Sequence, residues 1–467
     1  MAKSRNAAIA TGATTMGYLP NDRPPTGRLI LLGFQHVLTM FPATVFVAAF
    51  CGFHVGTVLL GSGISTIVAL LLSRKMIGKF IPLYYGSSFS YIAAYLGIAQ
   101  LMTGATPTFG QPLPDEVIQV MQAGIVVTGL INIAIGFLIR SIGKQNLDKV
   151  LPPIVTGSVA AIIGFGLAFA ALDLAGANWG IALLTLMVTV LFSAYLRGFL
   201  GMLPVLLGAV VGYVVSGLVV PGSVDLSGVA AAPMFQVPHV TFPSFAGAFV
   251  VTAIVSVSIM AIATIPESTA HLYQISLYVD RFADESGREK YHLDQNIGWN
   301  LVFDGVGDFL HGLVGATAGT NYGENNSLMA ITRNYSGPAL MAAGVIAILL
   351  AFVGKLAALV SSVPLAVTGG LAIYLFGVIG MQGIALMQEH KVSMFDARNL
   401  AIGATIMIVG IGGNIGLGGF IPVTVPGVFP NGLPAIATAA VMGILLNAIF
   451  LIFKPQEAAP VRAATKA

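Results

Sequence analysis

Apolar residues run along this chain in blocks of about 20, the length one helix needs to cross a bilayer. Short polar breaks separate them. Uninterrupted blocks lie at roughly 28–50, 54–73, 117–139, 150–171, 178–196, 199–220, 245–279, 298–317, 337–362, 364–387, 397–413 and 433–453. Two more, Tyr84 to Met102 and Thr320 to Tyr335, are shorter and carry glycine and polar residues inside them. In chain order these are spans 1 to 14, with the interrupted pair as spans 3 and 10. The pattern predicts an all-α polytopic membrane protein.

The loop at 221–243, rich in Pro, Val and Gly, divides the chain into halves at 28–220 (spans 1–7) and 244–453 (spans 8–14). Polar tails at 1–27 and 454–467 flank them. With an odd number of spans per half, the second half enters the membrane from the opposite side, so the halves form a 7+7 inverted repeat. The interrupted segments are the third span of each half. Broken helices at matching positions of inverted repeats point to a transporter's binding site near the bilayer midplane.

Composition agrees. Of 467 residues, 56% are hydrophobic and 8% charged, where soluble proteins carry about 25% charge. That leaves little room for a soluble domain. The 56 glycines suit closely packed transmembrane helices. Cys51 is the only cysteine, which excludes a disulfide framework and a Cys-based metal site. The N-terminal tail lacks the apolar core of a cleavable signal.

Charge fixes the expected orientation. Positive residues collect on cytoplasmic loops, and one compartment receives both tails together with Arg74/Lys75/Lys79, Arg140/Lys144/Lys149, Arg197, Arg281/Arg288/Lys290, Arg333 and Lys391/Arg398. Of the 21 basic residues only Lys355 falls elsewhere, inside a span. The opposite loops hold Asp115, Glu116, Asp173 and Asp225 and no basic residue. Both termini are expected in the cytoplasm. The net charge of +3 follows from topology and does not indicate a nucleic-acid partner.

Of 18 acidic residues, four lie at membrane depth: Glu267, Asp304, Asp308 and Glu324. Charge inside hydrocarbon costs a few kcal/mol or more, so such residues line cavities and do work there. Glu324 sits in Thr320-Asn321-Tyr322-Gly323-Glu324-Asn325, and Glu267 precedes His271 by one helical turn. Span 3 carries Tyr84-Tyr85-Gly86-Ser87-Ser88-Phe89. Each broken segment reads as a short extended stretch, a glycine, then a helix start. Helix starts expose unpaired N–H groups at a positive dipole end. Donors at Phe89 and Gly323, with two carboxylate acceptors, suit a planar ligand of alternating C=O and N–H groups, and Phe89 can stack on its face. A nucleobase fits; an anion would be repelled by the glutamates unless they were protonated.

These motifs resemble those of the nucleobase–ascorbate transporters (nucleobase:cation symporters), most closely the bacterial uracil permeases. The resemblance covers nearly the whole chain. It rests on Gln35-His36, Met40-Phe41-Pro42-Ala43-Thr44, Tyr85-Gly86-Ser87-Ser88-Phe89, Glu267 with His271, Asp304-Gly305, and Asn321-Tyr322-Gly323-Glu324-Asn325 through Met329-Ala330-Ile331-Thr332-Arg333. It implies a core domain of spans 1–4 and 8–11 and a gate domain of spans 5–7 and 12–14. It further implies a homodimer through the gates, uracil as the imported substrate and H⁺ as the coupling ion, with no cofactor beyond the proton gradient. Substrate contacts are expected at Phe89, Glu267, Gly323, Glu324, Ala43 and Tyr322. Proton coupling is expected at Glu267 and His271, with support from His36, Ser88, Asp304, Asn325, Thr332 and Phe376. Glu at 324 favours uracil, since relatives for xanthine or urate commonly carry Gln there.

The chain departs from the family pattern at Ser327, where the signature has Gly; at Pro42 and Ala270, where Gly is common; and at Phe376, where some uracil permeases have Tyr. His36 has two readings, lining the site or bonding across helices. His271 likewise either carries the proton or only supports Glu267. Asp304 reads as a core brace, Asp308 as near-surface or locally paired, and His54, His311 and Glu389-His390 as loop or interface residues. Other functions stay open at this point: a xanthine or purine symporter, an anion exchanger of the same architecture, or an intramembrane hydrolase. The last has little support, because the chain carries neither a nucleophile elbow nor a metal-ligand motif of the His-Glu-x-x-His kind. The expected location is the inner (plasma) membrane, in contact with lipid.

Overall fold

The computed structural model describes residues 17–143, 146, 149–426, 428–429 and 432–453. Residues 1–16 of the predicted N-terminal tail and the whole predicted C-terminal tail, 454–467, lie outside the described residues. Each predicted span corresponds to helix. The first half comprises Thr26–Phe50, Val55–Ile77, Ile92–Thr103, Asp115–Ile142, Pro153–Gly166 with Ala168–Gly176, Trp179–Tyr195 and Pro204–Val219. The second comprises Val250–Ser258 with Ala261–Glu285, Ile297–Val314, Gly323–Thr332, Gly337–Ala351 with Gly354–Ser361, Leu365–Glu389, Ala397–Met407 with Gly413–Gly416, and Ala435–Ile452. Large apolar side chains such as Leu183, Met187, Leu218, Leu349 and Leu445 stand exposed on the outer surface, as a lipid-facing surface requires.

The packing repeats with the symmetry of the two halves. Span 4 lies along span 9, and their counterparts, spans 11 and 2, lie along each other. Span 8 packs on span 4 as span 1 packs on span 11. In a second group, span 12 packs on spans 5 and 6 while span 5 packs on spans 12 and 13. Where spans 4 and 9 cross, a Cβ on Gly129 would lie 2.6 Å from the Gly305 carbonyl oxygen, and one on Gly305 would lie 2.5 Å from that of Gly129. Gly63 and Gly344 repeat this contact between spans 2 and 11. Small residues let transmembrane backbones approach this closely, which replaces the hydrophobic drive that lipid does not supply.

Spans 3 and 10 are broken as the sequence predicts. The extended stretches Tyr85–Ser87 (β1) and Gly319–Asn321 (β2) pair antiparallel, Tyr85 with Asn321 and Ser87 with Gly319. This pairing satisfies backbone groups that hydrocarbon could not. A Cβ on Gly86 would meet the Tyr322 ring and hydroxyl at 2.6–2.7 Å and the Thr44 hydroxyl at 2.7 Å, so glycine is required there.

Several expectations need correction. Span 8 begins at Val250 rather than 245 and breaks at Ile259–Met260, while Pro266 lies inside the second helix, Ala261–Glu285. Span 5 is likewise interrupted at Leu167, and span 13 contains a π-helical turn at Ile408–Gly412. Lys355 falls inside span 11, as the pattern predicts. It lies in the first turn of Gly354–Ser361, and its Nζ donates to the Val229 carbonyl of the inter-repeat loop. His311 is no loop residue: it is 1% exposed, with Nδ1 2.7 Å from the Thr317 carbonyl and Nε2 2.8 Å from Ser65 Oγ. Asp308 is not near the surface; it is buried, and accepts from Gly319 N–H at 2.7 Å and Asn132 at 3.0 Å. Both residues anchor β2.

Candidate functional site

β1 and β2 bring two helix starts side by side. After β1 the chain turns at Ser88, whose hydroxyl accepts from Ser90 N–H, and enters a short 3-10 turn at Phe89–Tyr91. After β2 it passes Tyr322 into the helix Gly323–Thr332. Tyr322 is 4% exposed, and its hydroxyl donates to the Ser87 carbonyl at 2.8 Å and lies 2.9 Å from Thr44 Oγ1. It locks spans 1, 3 and 10 together. In the first turn of span 10, the N–H groups of Gly323, Glu324 and Asn325 have no carbonyl above them in the helix.

Span 8 lies across these starts. His271 Nδ1 is 2.9 Å from both the carbonyl and the side-chain oxygen of Asn321. Its Nε2 would lie 2.7 Å from a Cβ at Gly323, so the ring covers that glycine. Asn321 and Asn300 both donate to Ser268 Oγ, at 2.8 and 2.7 Å. Ser90 donates to Glu267 from the span 3 side. Glu267 interacts electrostatically with Glu324, and Glu324 with His271. The structure therefore places Glu267, His271, Gly323, Glu324 and Phe89 around one point. Glu324 is exposed, and Glu267, His271, Gly323 and Phe89 are partly so, although all belong to spans.

The other predicted residues fall into an outer layer. His36 bonds across helices: Asn325 Nδ2 is 3.1 Å from its Nδ1 and from its carbonyl. Ala43 is buried on span 1 beside Thr44. Phe376 of span 12 meets Phe89 edge-on at 6.3 Å and Phe46 at 5.9 Å, while Phe46 stacks on Phe89 at 6.1 Å. Asp304 is buried and bonded to Ser268. Ser327 is partly buried, and its hydroxyl donates back to the Gly323 carbonyl at 3.1 Å. Thr332 lies at the far end of span 10, bonded to the Leu328 carbonyl, about 12 Å along the helix from Glu324 at 1.5 Å per residue.

The sequence reading missed Asn321, Ser268, Asn300 and Asn326. Asn326 donates to the His271 carbonyl and to Gln274. All four are buried polar residues, a class that signals a network only once its partners are known. Asn321→Ala removes one of the two acceptors facing His271 Nδ1 and one of the two amides that donate to Ser268 Oγ, at about 0.5–1.5 kcal/mol per lost bond. The expected outcome is a lowered Tm of the purified protein and weakened ligand binding, measured together. An unchanged Tm and affinity would show that Asn321 does not hold His271.

A separate crevice of about 610 Å³ lies between spans 3 and 8 on one side and spans 5, 13 and 14 on the other. Ala94, Gly97, Met260, Leu167, Asn414 and Ile436 line it, and neither glutamate does. Asp173 is the one carboxylate among its lining residues.

Two helix starts with acidic side chains beside them, in a 7+7 inverted repeat, define a membrane transporter rather than an enzyme. A family model described as "Permease family" matches residues 27–417, and the chain belongs to that family, the nucleobase–ascorbate transporters whose motifs it carries. It is 35% identical over 451 residues to the uracil permease of Bacillus caldolyticus, covering 94% of this chain and 95% of that protein. It is 33% identical over 454 residues to the uracil permease of Escherichia coli (strain K12), covering 94% and 95%. Among solved structures, the transmembrane domain of the cyanobacterial bicarbonate transporter BicA superposes with a TM-score of 0.59 at 14% identity, over 85% of this chain and 98% of that domain. That likeness concerns the fold alone.

Proposed function

We propose that this chain is a proton-coupled nucleobase importer with uracil as its substrate. The observation that carries the reading is the meeting of the Phe89 and Gly323 helix starts with Glu267, His271 and Glu324. Backbone N–H groups there can donate to ring C=O, and carboxylates can accept from ring N–H. The uracil permeases of B. caldolyticus and E. coli support the same substrate class. The bicarbonate transporter shares the fold, but two glutamates at the helix starts disfavour an anion.

In this reading spans 1–4 and 8–11 form a core domain that carries the site, and spans 5–7 and 12–14 form a gate. The gate contributes Phe376, which closes over Phe89, and pairs two copies into a dimer. The basic loops and both termini face the cytoplasm. A proton entering from outside settles on Glu267, with His271 beside it, and removes a charge that is costly in a water-poor pocket. The base then binds between Phe89 and Glu324. Core and gate shift relative to one another, and the proton leaves on the inner, more alkaline side.

The test is uptake of labelled uracil, xanthine and thymine into proteoliposomes under an imposed pH gradient. Uracil uptake stimulated by external acid and indifferent to counter-anions is expected. Preference for xanthine, or dependence on a counter-anion, would replace this reading with a purine symporter or an anion exchanger. Chemical conversion of the cargo would indicate a hydrolase.

A further inference from the structure

On the face opposite the described chain ends, three segments distant in sequence converge. His54 precedes span 2, Asp115 opens span 4, and His239 lies in the loop joining the two halves. One ligand-capable atom from each lies within 4.8 Å of the others. His239 Nε2 is 3.0 Å from both Asp115 carboxylate oxygens, and the His54 and His239 rings are 4.4 Å apart. We propose that His54, Asp115 and His239 form a binding site for a divalent transition-metal ion of the Zn²⁺ class, which ties the inter-repeat loop to the ends of spans 2 and 4.

Two imidazoles and a carboxylate are a donor set that Zn²⁺ accepts, with bonds of about 2.0–2.2 Å and water completing a tetrahedron. Such bonds set ligand atoms about 3.4 Å apart, so the 3.0 Å pair needs almost no movement. A His54 ring nitrogen, the third ligand, already lies within 4.8 Å of the other two. Asp115 and His239 are exposed and His54 half-buried, which leaves room for entry and for the water.

The backbone under the site is held independently of any ion. Thr57 donates to the His239 carbonyl at 2.6 Å, and Thr57 is one turn along span 2 from His54. Two residues past His239, Thr241 exchanges hydrogen bonds with buried Gln122 of span 4, its hydroxyl donating at 2.7 Å and its carbonyl accepting at 2.8 Å. Beyond that, Ser244 N–H bonds the Gln119 carbonyl at 3.0 Å, and before it Gln236 N–H bonds the Phe352 carbonyl at 2.9 Å. Outer hydrogen bonds that fix first-layer ligands are what a metal site needs. In a second cluster, Asp280, His292 and Asp294, Asp280 Oδ1 accepts from the N–H groups of Tyr291 and His292, and Asp294 Oδ1 from Ser276. The sequence hides the first site because its ligands share no local spacing.

The test is Co²⁺ titration of purified, tag-free protein in detergent, followed by d–d absorption and by Zn²⁺ displacement. A saturable spectrum at one ion per chain is expected. His239→Ala and His54→Ala should each weaken binding by about tenfold or more, since even outer-layer changes cost 10–100-fold. His292→Ala should leave the spectrum unchanged. Neither His54 nor His239 touches the nucleobase site, so both variants should keep wild-type elution and metal-free uracil uptake, which separates ligand loss from misfolding. Absence of a saturable spectrum in the wild type, its persistence in both histidine variants, or its loss in His292→Ala would overturn the proposal.

Discussion

Glu324→Ala is expected to lose specific uracil binding, with Kd raised on the order of 100-fold, measured by equilibrium binding of labelled uracil to detergent-purified protein. A hydrogen bond to a charged group is worth about 1.5–3 kcal/mol, and each 1.4 kcal/mol is about tenfold in affinity. In the Ala variant the ring N–H loses its charged acceptor, and the upper part of that range corresponds to a factor of about 100. The fold should survive. Glu324 is exposed, and span 10 is held by Tyr322 to Ser87, Asn325 to His36 and Asn326 to His271, none of which uses the carboxylate. Retained micromolar-range binding in a folded Glu324→Ala variant would defeat the assignment.

The second large effect separates recognition from coupling. Glu267→Gln keeps the size and an acceptor oxygen but cannot exchange a proton, so uracil binding should persist within about tenfold, the scale of one neutral for one charged hydrogen bond. Accumulation should fail. With one proton per base, a gradient of one pH unit supports about tenfold accumulation, since one unit is worth 1.36 kcal/mol. Liposomes with the variant should only equilibrate uracil and should lose stimulation by external acid. Wild-type accumulation by Glu267→Gln, with its loss in His271→Ala, would move the proton to the histidine. His271 lies beside both glutamates and is bonded to Asn321, so geometry alone gives it the same access.

Much of this architecture could be read from patterning, because lipid imposes a single rule on the chain. Every span must satisfy its own backbone, so span length, polar breaks and basic loops each carry direct information. The breaks at Tyr84–Phe89 and Thr320–Glu324 stood out for that reason. What escaped was the pairing of β1 with β2, which joins segments more than 200 residues apart, and the anchoring of β2 by Asp308 and His311. Both side chains read as peripheral on their own, and only the folded chain shows that Gly319 N–H, Asn132, Ser65 and Thr317 receive them. The break in span 8 escaped because Ile259 and Met260 are as apolar as their neighbours. Proline does not mark it: Pro266 lies inside the helix after the break, as Pro42 lies inside the unbroken helix of span 1.

The resemblance to uracil permeases led to Phe89, Glu267, Gly323 and Glu324, and the structure brings these together. Thr332, expected as a supporting residue, bonds the Leu328 carbonyl at the far end of its helix, and the Tyr322 hydroxyl is committed to Ser87 and Thr44. Tyr322 contributes by fixing where Gly323 and Glu324 begin. The site is thus a small set of exposed groups on a buried polar frame, and the frame carries most of the geometry.

The most direct test is a structure of the purified protein with uracil by electron cryomicroscopy. Ligand density is expected against the Phe89 ring, within hydrogen-bond reach of the Glu324 carboxylate and the Gly323 N–H. Density instead in the crevice bounded by Asn414 and Met260, or continuous helix through 84–89 and 320–325 with Glu267 and Glu324 far apart, would contradict the account.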